Sequence, residues 1–526
     1  MLTFLSLLLP AQLPPSSVES PRPTTPQVEQ IVLPHEVRPL PGELDSVPVF
    51  NSNSPEVVQQ PGILLSTFPP DDMAVPDAHL DYAFEGRFDI FAHHIARGTT
   101  PNDVRTLFLG ILIHNPSDEP VTVEVSQAVT YLSQEAPFYD LPSYVTDTAG
   151  QVFAGPGSRT TTDILRGVDQ GFLPNSFTLP PQRTQLLMSA PIPLRSLQEF
   201  QSGAPLPPYA YGLGGLDADD DGEGVARPVA LASPNREVPI NGRTALMYLD
   251  SDGPVYLASL GMFGRILSDG RERAPSLDEW LTLLQEGGLA GPRDIAPTSP
   301  DRLGRGRFFY GRVSGVAQGS LWETELTDSD GDRFTIPEPG EAISYAISTV
   351  DRNTLGTGQI QSAPMLARYS DTAYRAHGNY GIRYNLDLPL YNPSDSTRNV
   401  AILFQTPIKD ENLDGAGLRF LNPPLNRIFY RGSLRLRYQN NWGMERIRYV
   451  HVVQRRGQQG EPLLTVQLRP DEEQMVEIDF LYPPDATPPQ ALTIQTLAPD
   501  IIPQPEPDDF YPSLGQDISH DQEVSN

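Results

Sequence analysis

The stretch LIHNPSDEPVTVEV, residues 112–125, decides the fold, because its wording returns as PLYNPSDSTRNVAIL at residues 389–403. In both copies apolar runs flank Asn-Pro-Ser-Asp. Pro sets φ at the second position of a turn, while Asn, Ser and Asp bond nearby backbone groups. After the first copy, Val121, Val123 and Val125 alternate with polar residues, which is typical of a half-buried strand. The repetition predicts the same hairpin in two related β units.

Two further echoes occur in the same order along the chain. FTLPPQRTQLLMSAPIP (177–193) and VQLRPDEEQMVEIDFLYPP (466–484) each combine a strand, a Pro-bearing turn and a second strand. An Ala-His pair, at 92–93 and at 376–377, precedes each Asn-Pro-Ser-Asp. Ordered self-similarity favours tandem related domains over independent use of similar turns. FTIPEPGEAISYAIS (334–348) repeats the first of these phrases, so a nested or threefold repeat is an alternative.

Composition agrees with a β protein. The 526 residues include 56 Pro and 42 Gly, which favours strands joined by turns over long helices. The net charge of −29 argues against a nucleic-acid partner, because phosphate binding needs a basic face. The absence of cysteine excludes disulfides and thiolate catalysis. Lys409 is the only lysine, so almost all basic charge is arginine.

One helix is predicted in APSLDEWLTLLQEGGLAGP. Ser276, followed three residues later by Glu279, forms the pattern of a capping box. Trp280 begins an apolar face, and Gly287 suits the end of the helix. This helix is expected to pack on the β regions or to bridge them.

The termini read differently from the middle. MLTFLSLLLPAQLPPSSVES begins with a short apolar run similar to a secretory signal, with a disordered apolar terminus as the alternative. No stretch is predicted to cross a membrane. The predicted fold is mainly β, with two antiparallel β-sandwich-like domains, one short connecting helix and disordered termini. The predicted segments are a signal peptide at 1–16, a Pro-rich tether at 17–48, a first sandwich-like domain at 49–270, a helical connector at 271–300, a second sandwich-like domain at 301–498 and an acidic disordered tail at 499–526.

Longer phrases carry a family resemblance. GRFDIFAHHIARG, AHGNYGIRY and RYVHVVQRRGQQGEPLLTV resemble an exported cyanobacterial family whose domain has no assigned function. The local order of strands and turns is similar to bacterial immunoglobulin-like sandwiches. The resemblance implies a periplasmic, outer-envelope or extracellular setting, and it supplies no catalytic residues.

Calcium is the one cofactor that the sequence suggests. In LDADDDGEG, Asp217, Asp219 and Asp221 are spaced so that several carboxylates can surround one hard cation. Pro228 stands where an EF-hand needs Glu, so a looser calcium loop is predicted, with a solvated acidic loop as the alternative. The acidic stretches at 328–332 and 250–252 favour plain hairpin turns.

Four histidines, His79, His93, His94 and His114, fall close together in sequence. A zinc or copper site would use such side chains. Because neighbouring residues of a strand face opposite sides, His93 and His94 would not share one site. Buried, hydrogen-bonded histidines are therefore the favoured interpretation.

The clearest candidate ligand-binding surface lies in FYRGSLRLRYQNNWGMERIRYVHVVQRRGQQGEP, residues 429–462. Its alternating arginines predict a basic strand face, able to bind an acidic glycan. The alternative is that the arginines pair with nearby acids. The predicted ligand-binding residues are Arg435, Arg437, Trp442, Arg446 and Arg448.

The functional prediction is a non-catalytic, exported cell-envelope or extracellular protein with a structural or interaction role, stabilised by calcium if the acidic loop binds it. The chain lacks G-x-S-x-G, H-E-x-x-H and a phosphate-binding loop, so an enzyme is less favoured. The alternatives are a polysaccharide-active hydrolase and a carbohydrate-binding protein. The expected partner is an envelope protein or a glycan.

Overall fold

The fold is given by a computed structural model that describes residues 28–197, 238–302, 307–409 and 417–499. Strands make up 48% and helices 6%, which confirms the mainly β class. The described residues contain two α-helices, α1 Pro156–Leu165 and α2 Leu277–Glu286, where one was predicted. Neither has the length and hydropathy needed to span a bilayer.

The strands up to residue 273 include one of unusual length, β12, with 24 residues. They are β1 Glu29–Leu33, β2 Glu36–Arg38, β3 Pro48–Ser52, β4 Val57–Val58, β5 Gly62–Ser66, β6 Phe84–Arg97, β7 Thr106–His114, β8 Val121–Leu132, β9 Tyr144–Thr146, β10 Ser176–Leu179, β11 Thr184–Pro193, β12 Ile240–Phe263, β13 Arg265–Ile266 and β14 Glu272–Arg273.

The remaining strands follow α2. They are β15 Ser314–Gln318, β16 Leu321–Glu325, β17 Phe334–Thr335, β18 Ala342–Ile347, β19 Met365–Arg368, β20 Arg383–Tyr391, β21 Arg398–Gln405, β22 Leu418–Asn422, β23 Ile428–Gln439, β24 Glu445–Arg455, β25 Pro462–Leu468, β26 Glu473–Leu481 and β27 Gln490–Thr496.

The first unit is a pair of layers that share β12. One layer has the order β10-β8-β12-β6-β3-β15-β19, and the other contains β11, β7, β12 and β5. Residues 240–251 of β12 pair with β6, whereas residues 256–263 pair with β7. The chain therefore passes between layers at 252–254, and the hairpin expected at 250–252 is wrong. Apolar side chains from both layers form one core.

The second unit repeats this plan. Its seven-stranded layer has the order β16-β20-β26-β23-β24-β9, with β17 also on β20, and its five-stranded layer has the order β2-β18-β27-β21-β25. A core fills the space between the layers, where the rings of Tyr384 and Phe480 stack at 5.1 Å. Phe91, Val129 and Leu246 of the first unit belong to the same cluster, so the two units share apolar packing.

The repeated Asn-Pro-Ser-Asp occupies the same place in both units. It joins β7 to β8 in the first unit and β20 to β21 in the second. The strands that it joins do not pair with each other: β7 pairs with β11 and β20 with β26 in one layer, while β8 pairs with β10 and β21 with β25 in the other. The predicted hairpin is therefore wrong, and the turn is a corner between layers.

A buried asparagine holds the first corner together. The Asn115 side-chain amide donates to the carbonyl oxygens of Glu119, Leu179 and Pro180 at 2.7, 3.0 and 3.3 Å. Its Oδ1 accepts from the backbone N–H and the hydroxyl of Ser117 at 2.8 and 2.7 Å. One side chain thus joins the corner to the turn between β10 and β11.

The second corner has the same bonds. Asn392 donates to the carbonyl oxygens of Ser396, Leu468 and Arg469 at 2.9, 3.1 and 3.0 Å. Its Oδ1 accepts from the N–H and hydroxyl of Ser394 at 3.0 and 2.7 Å. The sequence repeat therefore corresponds to a repeated hydrogen-bonding motif.

The other repeated phrases do not all have the same structure in the two units. The turn between β25 and β26 matches that between β10 and β11. The Ala-His pairs do not match, because His93 lies within β6 and His377 lies in the loop before β20. The segment 334–348 forms β17, which pairs with β20, and β18, which pairs with β27 and β2. It therefore does not reproduce the pairing of β11 with β7.

Strands are exchanged between the units along the sequence. β2 precedes the first unit in the sequence but pairs with β18 of the second. β9 lies between strands of the first unit in the sequence but pairs with β24 of the second. In return, β15 and β19 extend the first unit through β3. β1 and β2 lie inside the predicted tether, and Leu40 beside them is 1% exposed. The described part of that segment is folded.

Helix α1 lies between the two units and was missed because its sequence, PGSRTTTDIL, is polar. Nine of its ten residues are buried. The Thr162 hydroxyl bonds the Ser158 carbonyl at 2.7 Å and the Ser433 hydroxyl of β23 at 2.8 Å. On the other side, the Tyr131 hydroxyl of β8 donates to Asp163 at 2.6 Å. Hydroxyls satisfied within the helix allow its burial.

Helix α2 confirms its prediction. Ser276 and Glu279 form the capping box. Trp280 is fully buried against Gly110 of β7, where a Cβ would meet the indole ring at 2.9 to 3.0 Å. The helix packs on the outer face of the first unit, as one of the two expected placements had it. The helix that bridges the two units is α1.

Candidate functional site at the junction of the two units

Six of the described histidines each hydrogen-bond to a hydroxyl group. These pairs are His35–Ser344, His79–Ser66, His93–Thr244, His94–Ser52, His114–Thr184 and His451–Ser433, at 2.8 to 3.0 Å. Burial lowers the pKa of His93 to about 3 and that of His94 to about 4, so both rings are neutral near pH 7. Across the described ranges, no group of three His, Asp or Glu side chains is placed to hold a metal ion.

The predicted calcium loop cannot be placed. Asp217, Asp219 and Asp221 lie outside the described residues, so that site stays a prediction. In the second acidic stretch, the Asp328 carboxylate accepts from the Thr335 N–H at 3.0 Å. The strands on either side, β16 and β17, both run parallel to β20, so this stretch is a loop along one edge and the expected hairpin is wrong.

The predicted arginine face is divided between two sides of the sheet. In the β23–β24 hairpin, Arg435 lies opposite Tyr449, whereas Arg448 lies opposite Leu436. Directly paired residues point to the same side of a sheet. Arg435 and Arg437 therefore share one face, and Arg446 and Arg448 share the other.

Nearby acids neutralise the first pair. Arg435 and Arg383 contact the buried Asp479 carboxylate at 2.5 and 2.6 Å. Arg437 lies 3.3 Å from Glu477. These contacts match the alternative in which arginines pair with acids across strands.

Trp442 stands apart from the arginines at the tip of the hairpin. Trp442 is 55% exposed, and its backbone N–H donates to Asn440 Oδ1 at 3.1 Å. The five predicted ligand-binding residues therefore do not converge on one site.

Another set of side chains does converge, where the two units meet. We call this space of about 190 Å³ the junction pocket. It is bounded by the chain after β3, the segment before β15, the loop before β20 and the turn before β27. Its side chains that bear chemistry are Asn53, Tyr310, Arg312, His377, Tyr380 and Lys409.

Among the described residues that line the pocket, Lys409 carries the positive charge that has no acidic partner. Burial, followed by the nearby Arg456 and Arg427, lowers the pKa of Lys409 to about 8, so the amine is mostly charged at pH 7. The Lys409 Nζ and the two guanidinium carbons lie 5.6 to 5.7 Å from the ring centroid of Phe429. No carboxylate of the described residues forms an ion pair with Lys409. By contrast, Arg312 pairs with Glu56.

His377 differs from the six other described histidines. Its Nδ1 lies 3.5 Å from Asp351 but has no hydrogen-bond partner, and its ring lies 4.5 Å from that of Tyr310. Burial, then Arg375, lowers the pKa of His377 to about 4. The ring is therefore neutral near pH 7, and its contact with Asp351 is not a salt bridge.

Asn53 offers an acceptor to the pocket. The residue is 2% exposed, and its Oδ1 has no hydrogen-bond partner among the described residues. A buried carbonyl oxygen left unsatisfied costs about 1–3 kcal/mol. A ligand or water that donates to it would recover that free energy.

A second cavity nearby is too small for a ligand. It holds about 10 Å³, enough for one water molecule. Burial raises the pKa of Asp89, which lines it, to about 6.

Sequence reasoning missed the junction pocket because its side chains come from six separated segments. One signal was present: the chain uses arginine at every basic position but one, and the single lysine lies in this pocket.

Comparisons with known proteins identify a family. The chain belongs to the family described as "Protein of unknown function (DUF3370)", whose model matches residues 35–496. No curated protein matches it. Among solved structures it is similar to Lac15 from a marine microbial metagenome, at 11% identity over 54% of this chain and 45% of that one. The TM-score between the two structures is 0.09.

Proposed function

We propose that this DUF3370 protein is a non-catalytic, exported protein of the cell envelope or extracellular space, with a structural or interaction role. The observation that carries the proposal is the exchange of strands between the two units. β2 and β9 complete the second unit, while β15 and β19 extend the first. Separating the units would break sheet hydrogen bonds in both, so the architecture resists being pulled apart.

The packing between the units supports the same proposal. Helix α1 contributes hydrogen bonds to both sides, through Asp163 and Thr162. The Asp479 carboxylate of β26 contacts two arginines on neighbouring strands of the second unit, Arg383 and Arg435. Polar groups that are satisfied internally favour one fixed arrangement. A fixed body presents its surfaces at constant spacing, which suits an envelope component.

Export, and with it a cyanobacterial origin, is part of the proposal. It rests on the apolar run in residues 1–16, which lie outside the described residues, and on the family resemblance. The test is to tag the chain at its C-terminus, fractionate producing cells and sequence the N-terminus of the recovered protein. Recovery from the periplasm, outer envelope or medium with the apolar run removed would support export. A cytosolic protein that retains Met1 would contradict it.

The interaction role is tested by cross-linking in intact cells. Because the chain has no cysteine, a single introduced thiol can carry a photo-cross-linker. The exposed Trp442→Cys reports on the hairpin tip, and the exposed Ile295→Cys is a matched control elsewhere on the surface. A reproducible envelope partner at one position and not the other would support the proposal. Recovery of the protein alone at both would oppose it.

Carbohydrate binding is the second candidate, and the junction pocket favours it. Two tyrosines, an unpaired amide oxygen and a cation line a single concave site. Such a combination of apolar walls and a few polar groups is usual for small-molecule sites. The hydrolase alternative predicts release of reducing ends from a polysaccharide, which an activity screen would detect.

A further inference from the structure

We infer that the junction pocket binds a small hydroxylated carboxylate, and specifically an acidic sugar residue. The inference deepens the proposed interaction role by naming a ligand class. It is argued from three features of the pocket: its charge, its unsatisfied acceptor and its walls.

Charge selects an anion. The Arg312 guanidinium is paired with Glu56, and His377 is neutral, so among the described residues that line the pocket the unpaired charge is that of Lys409. Arg427 and Arg456, which also lie near the Phe429 ring, add to the positive potential at Lys409. The whole chain carries −29, which repels anions in general. A carboxylate therefore finds local attraction at this pocket against an opposing overall field.

The choice of lysine matters in this position. Arginine would present a planar fork suited to bidentate contacts, whereas lysine presents a compact charge with three donors. In a pocket of about 190 Å³, the smaller head group leaves space for a ligand. The ammonium can then donate to a carboxylate oxygen as a charge-assisted hydrogen bond.

Asn53 distinguishes a hydroxylated acid from a simple anion. Its Oδ1 accepts hydrogen bonds, and a carboxylate has no proton to donate to it. A hydroxyl on the ligand would satisfy this oxygen. Hydrogen-bonding sites reject analogues that lack the matching group, because the buried partner is then left unpaired.

The walls suit a sugar ring. Tyr310 and Tyr380 offer ring surfaces together with hydroxyl groups. Tyr380 is partly buried, and burial raises the pKa of its phenol to about 12, so the hydroxyl stays protonated. A pyranose has apolar C–H faces and a hydroxylated edge, which match an aromatic wall beside polar groups.

The only lysine provides a direct test on the unmodified full chain. Purified protein is treated briefly with an amine-reactive succinimidyl ester, and Lys409 modification is measured by peptide mass spectrometry. Added D-galacturonate should slow the modification by about tenfold at ten times its Kd, since labelling requires the unliganded state. The α-amine at the N-terminus serves as an internal control whose rate should not change.

Three parallel reagents decide the ligand class. D-Galactose, which lacks the carboxylate, should leave the Lys409 rate unchanged. Acetate, which has a carboxylate and no hydroxyl, should protect several-fold less than galacturonate at equal concentration. Equal protection by acetate would overturn the hydroxylated class, and absence of protection by galacturonate would overturn the site.

Variants then assign the contacts by titration calorimetry. Lys409→Gln should weaken galacturonate binding at least tenfold, and Asn53→Leu should weaken it while leaving weak acetate binding unchanged. Unaltered galacturonate affinity in both would contradict the assignment. All of these measurements use purified protein, so their failure would be distinct from a failure of the export and cross-linking experiments.

Discussion

Replacing Asn392 by Ala should destabilise the second unit by about 3–5 kcal/mol. The side chain is fully buried, and its amide donates to three carbonyl oxygens. Each buried acceptor left without a donor costs about 1–3 kcal/mol, and water entering the corner recovers part of that sum. Asn392→Asp should be worse than Ala, because it places a carboxylate against the same carbonyls.

The first corner is the matched partner for this experiment. Asn115 makes the same five bonds in the first unit. Because the chain has two units, hydrogen exchange followed by mass spectrometry is the suitable assay, with urea unfolding alongside it. Asn392→Ala should speed exchange in β20, β21 and β25, and Asn115→Ala in β7, β8 and β10. A loss below about 1 kcal/mol at both corners, or an Asp variant as mild as Ala, would refute the reasoning.

Three further outcomes are expected. Gly110→Ala should cost about 1–3 kcal/mol, because its Cβ would meet the Trp280 ring at 2.9 to 3.0 Å, while Gly261→Ala, with nearest atoms at 3.5 Å, should be nearly neutral in urea unfolding. The pKa of His94 is about 4 in the folded protein, against an ordinary value of 6.5. Its contribution to the free energy of unfolding is therefore complete above pH 6.5 and is lost as the pH falls towards 4. The urea midpoint should fall over that pH range, and less steeply in His94→Gln. If the acidic loop binds calcium, chelator should lower the melting temperature of the wild type and not of Asp219→Asn, whereas an unchanged wild type would remove that loop from consideration.

The repeated turn shows what local sequence can predict. Asn, Pro, Ser and Asp specify the backbone of the turn, and the structure has a turn at both places. They do not specify which strands pair, because pairing depends on partners more than 60 residues away, such as β11 for β7. The repetition was therefore visible in the sequence, whereas the crossing between layers was not.

The arginine strands fail for a related reason. Alternation along β23 correctly places Arg435 and Arg437 on one face. The register of the hairpin pairs odd positions of β23 with odd positions of β24. Arg446 and Arg448 have even numbers, so they lie on the opposite face. Only the loop geometry at 440–444 fixes that register.

Helix α1 and the junction pocket were beyond local patterns altogether. The helix is buried on both sides, and its hydroxyl and carboxylate groups bond to its neighbours. It therefore needs no apolar stripe, which is the pattern that would have predicted it. The pocket gathers Asn53 and Lys409 from positions more than 350 residues apart in the chain. Neither periodicity nor spacing carries that information.

The exchange of strands also sets an order of events during biosynthesis. β3 is made early but gains β15 as a neighbour only after residue 318 has been synthesised, and β2 waits for β18 near residue 347. Nascent chains that end near residue 300 therefore leave edges without their native neighbours. Because these pairings join distant segments, they can form only late in synthesis. The sheets around β2 and β3 can therefore be completed only once more than half of the 526 residues have been made.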